Sequence, residues 1–378
     1  MAVTVGRLTR QSLEGGFLAV GVGYRLGVKH PSMGVEEELL LVSATGQPLP
    51  RSKAVAEGTE GVDVELELTR AQVETNSPVC ETADELHEQL TVMRKKLAVS
   101  AAEQGGRLLA VAAPPTGEAA HLVTRKPRYL EMEGRYGLLA KEQAVCGCHV
   151  HIDVPDKEAA IRVSNHLRPW LPALLALTAN SAVYLGHDTG FASWRWIMWS
   201  RWPCVGQPPY FESAEHYDRL VQTFLTSGAI MDERMVYWDA RPSSHLPTIE
   251  LRVSDVPLTV DETVLHATLG RALVMTALDS GSLGPELQPE VLRAAYWLAA
   301  KNGLTGDNLD VRRNKVLPIE QVLGLLIDHV RPALEQLGEV ERVETTIQRL
   351  LREGNGARRQ QKAFREGDDL IALTELRP

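Results

Sequence analysis

Apolar and polar positions alternate with a period of two in four separate stretches of this chain. In "MGVEEELLLV" (33–42), Val35, Leu39 and Leu41 fall on one side together with Glu37. Glu36 and Glu38 fall on the other side, followed by Leu40 and Val42. In "VDVELELT" (62–69), Val62, Val64, Leu66 and Leu68 alternate with Asp63, Glu65, Glu67 and Thr69. In "CHVHIDV" (148–154), Cys148, Val150, Ile152 and Val154 alternate with His149, His151 and Asp153. In "TIELRV" (248–253), Ile249, Leu251 and Val253 alternate with Thr248, Glu250 and Arg252. Side chains alternate across a strand, so each stretch predicts a strand with one apolar and one ionisable face.

Further strands are expected before 33 (residues 17–42 read as two, broken by "KHPS"), at 73–80, at 107–113 and at 235–240. A helical period places Leu86, Leu90, Met93 and Leu97 on one face, and Gly105–Gly106 ends that helix. Residues 157–185 read as mainly helical, interrupted by Pro169 and Pro172. From 261 onward the pattern is helical over 261–279, 286–302 and 318–352. Residues 114–130 and the aromatic stretch 190–215 read as loops. Strands scattered among helices, with no regular β-α-β alternation, predict one α+β domain with a mainly antiparallel sheet.

The ionisable faces raise the chemical question. Carboxylates are almost never fully buried without a partner. Four polar faces meeting bulk water is one reading, since antiparallel sheets do this routinely. The other is a single sheet whose ionisable sides line a pocket. Glu36, Glu38, Glu67, Glu74 and Glu250 then converge, and like charges at close range raise one another's pKa. Hard cations such as Mg²⁺ and Mn²⁺ resolve this with oxygen ligands, and His151 adds a nitrogen. Such sites commonly hold phosphates, yet the chain has no phosphate-binding G-x-x-x-x-G-K-[ST] loop. "HEQLT" (87–91) lacks the second histidine of a zinc helix.

Net charge is −9, which argues against a nucleic-acid-binding face. No stretch approaches the ~18 apolar residues of a membrane span. The N-terminal residues have no compact apolar run of a signal peptide. None of the four cysteines forms a C-x-x-C pair, so reduced thiols and a cytoplasmic location are expected.

Six strings occur in a characteristic order: "GVEEELLLV", "ELTRAQVETNSPVC", "GCHVHIDVPD", "LRPWLPALLALTANSAVYLGHDTGFASWRWIMWSRWPCVGQPPYF", "YWDARPSSHLPTIELRVSD" and "GNGARRQQ". Together they resemble the glutamate–cysteine ligase family of type 2, the carboxylate–amine ligases. The resemblance runs from about residue 33 to the C-terminus, leaving 1–32 as an extension or extra strand before one catalytic domain, 33–378.

The resemblance implies a glutamine-synthetase-like catalytic fold: a curved antiparallel sheet forming a funnel, with helices packed behind. It implies ATP-dependent amide formation through an acyl phosphate, by default glutamate plus cysteine giving γ-glutamylcysteine. The implied partners are a small carboxylic acid and an amine. A homo-oligomer is compatible with the sequence but not specified by it. Glu36, Glu38, Glu67, Glu74, His151 and Glu250 match positions expected to hold two or three Mg²⁺ or Mn²⁺ ions.

Arg252, with Glu74, is expected to be catalytic, the guanidinium stabilising the transferring phosphoryl group. Arg195, Arg201, Arg241 and Trp199 are expected around the substrate, and Arg358 and Arg359 around ATP. His149 reads as a supporting residue. The chain departs from the family pattern after 107–113, where many relatives carry Thr-His-Pro and this one reads "AVAAPPTGEA". The same ligase chemistry on another acid–amine pair, or a silent ligand-binding relative, are the alternatives.

Overall fold

The computed structural model describes residues 30–117 and 122–377. Its central sheet contains β1 (Met33–Val42), β2 (Asp63–Leu66), β3 (Gln72–Asn76), β4 (Arg107–Leu109), β5 (Gly147–Asp153), β6 (Ala240–Pro242) and β7 (Thr248–Asp255). The order is β6-β7-β5-β1-β3-β2, with β4 on β1, and every pairing is antiparallel. The ten-residue β1 pairs β5 along its first half and β4 along its second. This is an α+β fold with a mainly antiparallel sheet and helices behind it.

The apolar faces of β1, β5 and β7 turn to the helices, whereas β2 spans only Asp63–Leu66 of the expected 62–69, and its Val64 and Leu66 stay half-buried. Val35, Val150, Ile152, Leu251 and Val253 are fully buried in one core with the helices Ala83–Glu103, Lys157–Leu167, Leu171–Thr178 and Val260–Ser280. The last of these has almost no exposed face, because it lies between the sheet and other helices. Gly270 allows that approach: a Cβ there would sit 3.1 Å from Leu251 and 3.4 Å from Ile152. The helices Pro289–Asn302, Ile319–Leu337 and Val340–Glu353 form a further layer on the same core.

Several elements differ from the sequence expectation. The expected 318–352 helix is two helices, because Gly338 adopts φ 72° and ends the first. The 114–130 loop runs into a helix, Pro127–Tyr136, with Pro127 in its first turn. The aromatic 190–215 stretch contains the helix Trp194–Trp199, capped by the Ser193 hydroxyl, and is followed by Ala214–Ser227. The strand expected over 107–113 is confined to Arg107–Leu109. The strand expected before residue 30 lies outside the described residues. No helix among the described residues is long and apolar enough to cross a membrane. All four cysteines are free and buried.

Candidate active site

The ionisable face of the sheet is the floor of a cavity of about 780 Å³. Register decides which groups meet. Glu65 on β2 pairs with Glu74 on β3, and Glu74 pairs with Glu38 on β1. Three glutamates therefore stand in one row across three strands. Glu36 lies opposite His149, and Glu250 lies opposite His151 and Arg241. Like charges directly opposite each other destabilise a sheet. The glutamate row is thus a local conflict that folding alone does not relieve.

Three sets of donors are close enough to share one cation each. They are Glu38, Glu67 and Glu74; Glu36, Glu74 and His149; and Glu36, His151 and Glu250. In each set the ligand atoms lie within 4.8 Å of one another. The donors are mostly carboxylate oxygens, with one imidazole in each of two sets and none in the third, which suits Mg²⁺ or Mn²⁺. Burial, with Glu67 and Glu36 as neighbours, pushes Glu74 well above the usual carboxylate range. A cation among these oxygens removes that penalty.

The other carboxylates are held differently. Burial opposes ionisation of Glu36, but the His151 and His149 rings outweigh it and hold this carboxyl well below its usual range. His149 Nδ1 lies 2.9 Å, and His151 Nε2 3.0 Å, from Glu36 oxygens. Burial lowers His151, yet Glu36 more than offsets this and its pKa rises. Glu250 is gripped by two arginines: Arg241 donates to it at 2.7 and 3.2 Å, and Arg252 pairs with it directly. Those guanidiniums overcome burial and hold Glu250 far below the ordinary range. Glu38 accepts a 2.5 Å hydrogen bond from the Gly147 amide.

Most of the expected site residues meet here. Glu36, Glu38, Glu67, Glu74, His151, Glu250 and Arg252 all line the cavity, as do Arg195, Arg241 and Trp199. Three arginines do not. Arg201 donates to the Met198 carbonyl and pairs with Glu142 at 2.8 Å. Arg358 donates to the Leu351 carbonyl, and Arg359 to the Gly354 carbonyl with Glu262 as its ion-pair partner. The helix Gly356–Glu366 carries both of the latter, and Gly356 is pressed so closely on Asn180 that a Cβ would overlap it. Gly356 therefore serves packing here, while Gly354, at φ 91°, ends the helix before it.

The structure adds lining residues that the sequence did not single out. His149, expected as a supporting residue, also lines the cavity: it contributes Nδ1 to the Glu36 pair and contacts Arg252 at 3.3 Å. Glu65 and Gln72 come from β2 and β3. Arg128, Tyr129 and Gln143 come from the segment between β4 and β5, where no period marked them. Trp199, Trp202 and Tyr237 form an aromatic wall, with Trp199 and Tyr237 ring centroids 4.8 Å apart.

The model of the glutamate–cysteine ligase family 2 matches residues 32–374. A Nocardia farcinica protein named "Putative glutamate--cysteine ligase 2-1" is 52% identical over 349 residues, 91% of each chain. A Salinispora arenicola protein named "Putative glutamate--cysteine ligase 2" is 44% identical over 352 residues, 91% of this chain and 93% of that one. Among solved structures, a glutamate–cysteine ligase from Francisella tularensis in complex with AMP superposes with a TM-score of 0.67. It shares 13% identity and covers 91% of this chain and 86% of its own. A bifunctional glutathione synthetase from Pasteurella multocida gives 0.64 at 15% identity, covering 91% of this chain and 51% of its own. The present protein is an ATP-dependent ligase that forms a carbon–nitrogen bond. It belongs to the glutamate–cysteine ligase family 2.

Proposed function

We propose that this protein joins the side-chain carboxylate of glutamate to the amine of cysteine, giving γ-glutamylcysteine, ADP and phosphate. Residues 33–378 act as one catalytic unit. The γ-phosphoryl group of ATP passes to the glutamate carboxylate oxygen, which gives an acyl phosphate and frees ADP. The cysteine amine then attacks the carbonyl carbon, loses a proton, and phosphate leaves with the C–O bonding pair. No protein nucleophile is required, because positioning and electrostatics carry chemistry of this kind.

Glu38, Glu67 and Glu74, and Glu36 with His149, His151 and Glu250, would hold divalent cations. When bound, these cations offset the carboxylates and stabilise charge on the transferring phosphoryl group. Arg252 is fixed by Glu250 and lines the same cavity, so its guanidinium is held rigid beside the reacting oxygens. The observation that carries the proposal is the alignment of Glu65, Glu74 and Glu38 across three paired strands on a cavity floor that also holds Arg252. The names of the family-2 relatives support glutamate and cysteine as the pair.

The test follows ADP formation with ATP, Mg²⁺ and single acids and amines. ADP that requires both glutamate and cysteine is expected. Turnover only with another acid–amine pair would replace the substrates. ADP release without any acid would remove the ligase reading of the site.

A further inference from the structure

The string "GNGARRQQ" is left without a task in the chemistry, since the guanidiniums of Arg358 and Arg359 turn away from the cavity. Its first glutamine has one. Gln360 is completely buried. Its side-chain nitrogen donates to both oxygens of Asn180, to the carbonyl at 2.8 Å and to Oδ1 at 2.7 Å. Its side-chain oxygen accepts from the Val183 amide at 3.2 Å. Gly356 lets the helix come this close, and the Ala357 amide donates to the Ala179 carbonyl at 2.9 Å. The helix Gly356–Glu366 thus clamps residues 179–183.

Asn180 in turn holds the end of β7. Its backbone amide donates to Asp255 Oδ2 at 2.8 Å. Its side-chain nitrogen donates to the carbonyls of Val256 at 2.8 Å and Ala110 at 2.9 Å. With Asn180 Oδ1 bound by Gln360, the nitrogen end is left facing those carbonyls. Asp255 is completely buried, and the hydroxyls of Ser181 and Ser193 also donate to it, at 2.7 and 2.8 Å. Gln360, Asn180 and Asp255 all lie behind the cavity and do not line it.

An anchor at this place matters because β7 is irregular just before it. Leu251 pairs with Val150 and Ser254 with Cys148, so β7 has one residue more than β5 between these pairs. A bulge of this kind re-aims a side chain, and the ladder does not fix the extra residue. Arg252 lies inside it. Its amide donates to the Asp239 carbonyl on the opposite side, at 2.8 Å. The direction of its guanidinium then depends on where the strand is pinned on either side of the bulge. Before the bulge Arg241 pins Glu250, and after it the donors around Asp255 hold the chain.

We infer that Gln360 is a positioning residue: through Asn180 and Asp255 it pins β7 beyond the bulge and so aims Arg252 into the cavity. The inference rests on the ligase reading, in which Arg252 stabilises the transferring phosphoryl group. A misplacement of about 1 Å at such a group can cost about 10²-fold in rate.

Gln360→Met keeps the reach and volume of the side chain and removes its hydrogen bonds. The kcat with glutamate and cysteine should fall about tenfold. The same change in an Arg252→Lys protein should cost less than about twofold, because an ammonium has no planar fork to aim. An equal loss in both backgrounds is the mark of a merely structural role and would overturn the inference.

A second measurement needs no turnover. In protein labelled with ¹⁵N-arginine, the Arg252 Nε–H resonance is assigned by its loss in Arg252→Lys. It should shift or broaden in Gln360→Met and, to a smaller extent, in Asp255→Asn. Asp255→Asn conserves shape and carries the test if Gln360→Met does not fold. An unchanged resonance in the folded variants would overturn the inference. A moved resonance in a protein that forms no ADP supports the anchor and places the failure with the ligase reading.

Discussion

Glu37 and its neighbours Glu36 and Glu38 belong to the same strand, carry the same charge and meet opposite fates. Glu37 points to the helices and is completely buried. Arg94 donates to its two oxygens at 2.9 and 2.7 Å, and Thr263 adds a third bond at 2.7 Å. Arg94 is itself tied to the carbonyls of Pro257 and Leu258. Every demand of this charge is met within the protein. Glu36 and Glu38 point the other way, onto a floor shared with Glu65, Glu67 and Glu74. There the nearest neighbours include more carboxylates, and Glu74 is driven well above its ordinary pKa. Buried charge by itself is therefore no sign of function. A buried charge whose counter-charge the protein leaves out is one.

The largest expected effect comes from breaking the satisfied side. Arg94→Ala strands a buried carboxylate and should cost about 3–5 kcal/mol of stability, read by chemical denaturation. A loss below about 1 kcal/mol would show that Glu37 does not depend on its partner.

On the unsatisfied side the same kind of change should act on rate and not on folding. Glu74→Gln removes one of several repelling charges, so the metal-free fold should persist or gain stability. Turnover should fall by about 10²–10³-fold, the scale of a lost electrostatic contribution to a transition state. A variant with full rate would detach Glu74 from the chemistry.

The contrast sharpens with pH. The folded-state pKa of Glu74 is raised, so the folded protein binds a proton there that the unfolded chain has already released. Its contribution to metal-free stability is fully present below the ordinary carboxylate pKa. It is lost as pH rises through the raised one. Melting temperature without metal should fall across that window, and Mg²⁺ or the Glu74→Gln change should flatten the fall. A metal-free profile that stays flat in the wild type would contradict the assignment.

The smallest effect is expected at Arg359. Its partners are Glu262 and a backbone carbonyl outside the cavity. Arg359→Ala should cost about 1–2 kcal/mol of stability and leave ADP affinity unchanged. A large loss of nucleotide affinity would return this arginine to the site.

The strands and their faces were legible because the period of two is explicit in 33–42, 62–69, 148–154 and 248–253. That alternation sufficed to bring Glu36, Glu38 and Glu250 to one side, and it separated Glu37 from them, whereas Glu67 reaches the cavity from beyond the end of β2. It could not name the partner of Glu37, because Arg94 lies 57 positions away on a helix. Tyr129 and Gln143 were hidden for another reason. Tyr129 lies in 114–130, read as loop, where Pro127 in fact occupies the first turn of a helix, and Gln143 lies in 131–144, where no element was read. Arg358 and Arg359 were expected around ATP only from the resemblance of "GNGARRQQ", which carries no information on where their side chains turn. In the fold, Gly356 is needed for close packing against Asn180, and the guanidiniums turn to structural partners.

The central claim is that the aligned glutamates are tolerated because divalent cations bind among them. Titrating Mn²⁺ into the protein with ADP present, followed by electron paramagnetic resonance, measures this directly. At least two bound ions per chain are predicted for the wild type, with clear loss of binding in Glu38→Gln and Glu74→Gln. No bound manganese, or equal binding in wild type and both variants, would contradict it.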